Sequence, residues 1–202
     1  DTMHRHVETW LRRHIPSDAH CFATDITGGI GQLNVQGPRS RELLQSITSA
    51  DLSNEAFPYS GYREFLIKTK IFVRAMRLGF VGERSYELHI PSSYTQAVWN
   101  MLKEAGAEFG IRNFGVEAQN VLRMEKCHVI LGAESEQRTN LLDLGLGFLW
   151  DRQKADAKTV GAAALRQAEN DPGRLKLVGI RMEDDNRAAR DGALIVDNKV
   201  RG

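Results

Sequence analysis

Residues 62–91 read YREFLIKTKIFVRAMRLGFVGERSYELHIP, and this stretch decides the fold class. Two β-rich runs fill residues 62–78 and part at Lys68-Thr69-Lys70. In a third run Tyr86, Leu88 and Ile90 alternate with polar residues. Side chains alternate faces along a strand, so each run buries one row and leaves the other wet. Gly82-Glu83-Arg84-Ser85 reads as a polar hairpin turn. Strands joined by such short links are antiparallel neighbours.

Helical periods surround this β-rich centre. Before it, Gln32–Gln36 alternates as a half-buried strand, and Gly37-Pro38 opens a helix through Leu43, Leu44 and Ile47, with Pro38 at the first helical position. Val7, Trp10, Leu11 and Ile15 mark an earlier helix from His4, stopped by Pro16. After it come an amphipathic helix over 93–109 (Val98, Met101, Leu102, Ala105 on one face) and another over 116–125. Leu142, Leu144, Leu146, Phe148 and Trp150 alternate as a late strand. Val160–Glu169 reads as a helix, and Leu175–Met182 and Ala193–Val196 as further strands. The charged stretch Glu183–Asp191 and the Asn170-Asp171-Pro172-Gly173 turn compete as domain boundary. Helices interleaved with hairpin-linked strands favour α+β over a doubly wound sheet.

The 202 residues suffice for one large domain or two small ones. Lys+Arg 27 against Asp+Glu 26 gives no electrostatic footprint for nucleic acid or a membrane surface. No apolar run approaches the ~20 residues that span a bilayer. Two cysteines, Cys21 and Cys127, make no disulfide framework and have no metal-type spacing, which points to a reducing compartment, the cytoplasm.

Few motifs carry chemistry by themselves. Thr27-Gly28-Gly29-Ile30-Gly31 has Asn34 where a dinucleotide fingerprint needs its third glycine, and no Lys-Ser/Thr follows, so it reads as a tight turn. His4 and His6 point about 160° apart on a helix and share no ion; no metal site is expected. Cys127-His128 is adjacent without evident partners. Glu125 follows Val121 and Leu122 at helical spacing, so its carboxylate lies on the apolar side, a costly position unless paired or used. Arg152-Gln153-Lys154 follows the late strand as a polar loop.

The segments LNVQGPRSRELL (33–44), ADLSNEAFP (50–58), Val73–Pro91, NVLRMEK (120–126) and Leu142–Lys154, with Val160-Gly161 and Leu165, run in register along almost the whole chain. Together they resemble the aminomethyltransferase (glycine-cleavage T-protein) family, and especially the folate domains of sarcosine and dimethylglycine dehydrogenases. The resemblance implies a T-protein-like α+β fold around a central pore, followed by a β-barrel. Residues 1–173 would form the folate-binding domain, lacking its N-terminal part, and 174–202 the start of a truncated barrel.

It also implies a ligand, tetrahydrofolate. Glu125 matches the carboxylate that takes a bidentate pair from the pterin amino group and ring nitrogen. Lys154 matches the basic residue after the late strand, with Arg152 a near alternative. Glu83 falls in the family's Gly-Glu turn, and Phe80 in a position often held by Tyr. The family's catalytic Asp falls on Val7, with Glu8 next to it, so no catalytic residue is assigned. The implied function is one-carbon transfer to tetrahydrofolate, coupled to oxidative N-demethylation on a flavin domain or subunit elsewhere. FAD enters only with that separate domain. The alternative is a non-catalytic or regulatory module that keeps the fold without the transfer chemistry.

Overall fold

A computed structural model describes residues 3–135, 138–153, 159–184, 187–190 and 192–193. The chain divides into two compact units, Asp1–His128 and Val129–Gly202.

The first unit is built on a four-stranded sheet: β1 (Ile30–Gln36), β2 (Tyr62–Ile67), β3 (Ile71–Met76) and β4 (Ser85–Pro91). The order is β1-β4-β3-β2, with every pair antiparallel. Three residues, Lys68–Lys70, link β2 to β3, whose ends pair Ile67 with Ile71; Lys68 and Thr69 turn the chain with φ of 48° and 59°, and Lys70 N–H bonds the Ile67 carbonyl at 3.1 Å. Register brings Leu33, Leu88 and Ala75 side by side, and beside them Val35 faces Tyr86 and Phe65 faces Val73. That row is the core. Helix α2 (Ser40–Ile47) and helix α3 (Thr95–Gly106) add Leu43, Leu44, Ile47, Val98 and Leu102 to the same cluster. Each such side chain contributes roughly 1.5–3 kcal/mol by leaving water. The other rows, including Glu64, Arg74, Glu87 and Asn34, form the sheet's polar face.

Two more helices belong to this unit. Helix α1 (His4–His14) buries none of its residues, and Val7, Trp10 and Leu11 are each about half exposed. Helix α4 (Val116–Glu125) buries only Arg123. The second unit holds α5 (Ala162–Glu169) and a small cluster of Trp150 and Ala162 with Leu142 and Leu165.

The α+β reading holds, with three local corrections. Pro38 does not open α2. Gly37, at φ 127°, accepts a bond from Ser40 N–H first, and the helix starts at Ser40. The strand read at 142–150 is a series of turns ending in a 3₁₀ turn, Gly147–Leu149. There the Asn140 side-chain Oδ1 accepts from the N–H groups of Leu142 and Asp143, and Leu146 N–H bonds back to the Leu141 carbonyl, so local bonds consume the amides a ladder would need. Residues 175–182 are likewise irregular, with Leu175, Val178 and Ile180 exposed; alternation without a neighbouring strand makes no ladder. Most of Ala193–Val196 lies outside the described residues. Among the described residues no helix is long and apolar enough to cross a membrane.

Candidate functional site

The C-terminus of α4 ends in a tight reversal. His128 N–H bonds the Arg123 carbonyl at 2.9 Å and Cys127 N–H bonds the Met124 carbonyl at 2.9 Å. This 6→1 and 5→2 pair is the Schellman arrangement. Cys127 occupies the left-handed position at φ 61°, where glycine is usual. The buried Arg123 closes the loop by donating to the His128 carbonyl at 3.1 Å.

This reversal aims His128 at the β3–β4 connection. Its ring stacks on Phe80, and its Nδ1–H donates to the Phe80 carbonyl oxygen at 2.6 Å. Next to it the Lys126 side chain covers Gly82, where a Cβ would stand 3.2 Å from Lys126 Cδ. Gly82 has φ 83°, so the turn needs glycine there twice over. The turn is braced on the other side. Ser85 Oγ donates to the Glu83 carbonyl, while Gly37 N–H and Ser40 Oγ both donate to the Arg84 carbonyl.

Three of the five residues read from the sequence therefore share one corner of the first unit: Phe80, Glu83 and Glu125. Phe80 is half-buried, and the Glu83 and Glu125 side chains are exposed. Exposure corrects the reading of Glu125 as aimed at a core. On α4 the turn that points inward carries Arg123, and Val121 is itself 53% exposed. Glu125 is available to solvent and to a ligand.

The remaining two belong to the second unit. Arg152, in the second unit, is bound to Glu169 Oε1 through Nε (3.0 Å) and Nη2 (2.6 Å), and its guanidinium lies 4.9 Å over the Trp150 ring. Lys154 lies outside the described residues. On α1, Val7 is half exposed and Glu8 is taken by Arg12 at 2.8 Å. Sequence reasoning missed His128 and Arg123. Cys127-His128 looked partnerless because Phe80 is 48 residues away. The signal for Arg123 was an arginine between Leu122 and Met124, passed over in favour of Glu125.

Residues 1–154 match the family model described as the GCVT N-terminal domain. Human sarcosine dehydrogenase, mitochondrial, is 37% identical over 179 residues, covering 89% of this chain and 19% of that protein. An aminomethyltransferase of Acidobacterium capsulatum is 37% identical over 198 residues, covering 94% of this chain and 49% of that protein. A heterotetrameric sarcosine oxidase structure from Corynebacterium sp. U-96 aligns at 23% identity and TM-score 0.40, over 46% of this chain and 45% of that one. The chain thus spans about half the length of the aminomethyltransferase and about a fifth of the dehydrogenase.

Proposed function

The chain belongs to the GCVT N-terminal domain family, and from that premise we propose that it is a tetrahydrofolate-binding, aminomethyltransferase-like module with Glu125 as its pterin anchor. The observation that carries this reading is the corner where Glu125 sits. The α4 reversal fixes the helix end to the β3–β4 connection through His128, Phe80, Lys126 and Gly82. A carboxylate one residue before that reversal is free of a core role and held on a braced backbone. A charged acceptor that takes two parallel N–H donors gains geometry as well as energy from such a fixed base. The half-buried Phe80 ring, stacked on His128, adds an apolar surface at the same reversal.

In this reading Glu125 orients the ring, Phe80 lines the pocket, and Glu83 stands at its rim. The family resemblance assigns the carboxylate end of the ligand to Lys154, with Arg152 as the alternative. Tetrahydrofolate supplies the one-carbon acceptor. An N-methyl amine oxidised on a separate flavin domain or subunit supplies the donor. Residues 1–173 form the folate domain and 174–202 begin the barrel that follows. Cys21 and Cys127, both exposed and unpaired, fit a reducing compartment, the cytoplasm.

A second reading, a module that binds folate without transferring, draws on α1. Val7 has no ionisable group and Glu8 is held by Arg12. Proton transfer by a positioned acid or base is typically worth about 10²–10⁴-fold in rate. Calorimetric titration with tetrahydrofolate, together with an assay of methylene-tetrahydrofolate formation from an iminium donor, tests both. Binding with turnover supports the first reading, binding without turnover the second, and no binding rejects the two together.

A further inference from the structure

A cleft of about 520 Å³ in the first unit has no part in the folate reading. One wall is Leu33–Gln36 of β1, and the other is the stretch from Phe109 to Phe114 with Trp99 and Lys103 of α3. Among the described residues strand β1 is terminal in the sheet and pairs only with β4. A terminal strand presents unpaired N–H and C=O groups, which proteins usually blunt with lysine, proline, a bulge or a very short strand. β1 reads IGQLNVQ: seven residues, uncharged, without proline, and paired to β4 along its whole length with no bulge. Its edge is unguarded.

The chemistry around that edge selects what covers it. Arg39, Lys103 and Arg112 line the cleft, and no Asp or Glu does among the described residues. Arg39 is held by Glu42 and by the Phe109 ring, and Lys103 donates to Asn113 Oδ1. Arg112 is exposed and has no ion pair among the described residues. We infer that β1 receives an extended acidic segment of a partner polypeptide, added as a strand along Leu33–Gln36. Its backbone completes the sheet edge, and its carboxylates meet Arg112 and Lys103. Main-chain bonds give affinity in this mode, and alternate side chains give specificity. A second copy of this chain would bring the same cations face to face, which like-charge juxtaposition disfavours. A small anion would answer the cations and leave the strand edge unmet.

The test uses the 202-residue chain and a nine-residue peptide alternating Val and Glu. Calorimetry is expected to show saturable binding, and amide exchange is expected to slow along β1. N-methylation of alternate peptide nitrogens removes strand bonding while keeping charge, and is expected to weaken binding about tenfold or more. Arg112→Glu, an exposed change, is expected to weaken it about three- to tenfold and to favour the corresponding Val/Lys peptide. Absence of binding overturns the inference. Equal binding of the N-methylated peptide, or equal competition by glutarate, overturns it in favour of a plain anion site. A concentration-dependent dimer that protects β1 overturns it in favour of self-pairing.

Discussion

The His128 imidazole lies against the Phe80 ring, 5.5 Å between centroids and 16° between planes, with its Nδ1 hydrogen-bonded to the Phe80 carbonyl. One side chain thereby ties the end of α4 to the β3–β4 connection, and with it Glu125 to Phe80 and Glu83. His128→Ala is expected to weaken folate binding about three- to tenfold, the worth of one ordinary hydrogen bond, while the core stays intact. Hydrogen exchange across residues 79–85 would check it. Unchanged exchange and unchanged affinity would mean the junction does not position the site.

Cys127 stands in a left-handed conformation that most residues avoid. The left-handed region costs an L-residue about 1–2 kcal/mol, and glycine's greater freedom in the unfolded chain returns part of that. Cys127→Gly is therefore expected to raise stability by up to about 1 kcal/mol in urea denaturation. A clear loss would show that the thiol has a packing or binding role.

The Gly28-Gly29-Ile30-Gly31 stretch contains glycines of two kinds. A Cβ on Gly28 or Gly29 meets open space, whereas one on Gly31 would stand 2.7 Å from Thr95 Cγ2 and closer still to its Oγ1. Gly31→Ala is expected to destabilise by roughly 1–3 kcal/mol through overpacking where α3 begins, and Gly28→Ala by far less. Equal effects in paired denaturation curves would contradict this packing.

Asp51 accepts hydrogen bonds from the Ser53 N–H and hydroxyl, which hold its carboxyl below the usual carboxylate range; Arg63 and Arg41 add to this. A depressed folded pKa means stability that is present above the unfolded pKa, near about 3.9, and lost as pH falls through the folded value. The stability gap between wild type and Asp51→Asn is expected to be flat from neutral pH to about 5 and to close below about 4. A gap that widens in acid would contradict the assignment.

The region from β1 to α3 was legible because burial and periodicity agree there. Tyr86, Leu88 and Ile90 alternate in the sequence and are fully buried in the sheet. Residues 142–150 alternate just as well, yet local bonds from Asn140 and the left-handed Gly145 fold them into turns. Periodicity registers hydrophobic spacing, and it says nothing of whether a partner strand is present. The resemblance of its neighbours singles out Glu125, but helical spacing misjudges its exposure because Val121, read as core, faces solvent. The Phe80–His128 contact joins segments 48 residues apart, and no local pattern announces it.

The central claim is that Glu125 anchors a reduced pterin. Titration calorimetry of tetrahydrofolate into wild type, Glu125→Gln and Glu83→Gln measures it directly. Glu125→Gln keeps the shape and removes the charge, so affinity is expected to fall by roughly 1.5–3 kcal/mol, the range for hydrogen bonds to a charged group. Glu83→Gln, at the rim, is expected to change it by less than about 1 kcal/mol. Equal affinities for wild type and Glu125→Gln would contradict the account.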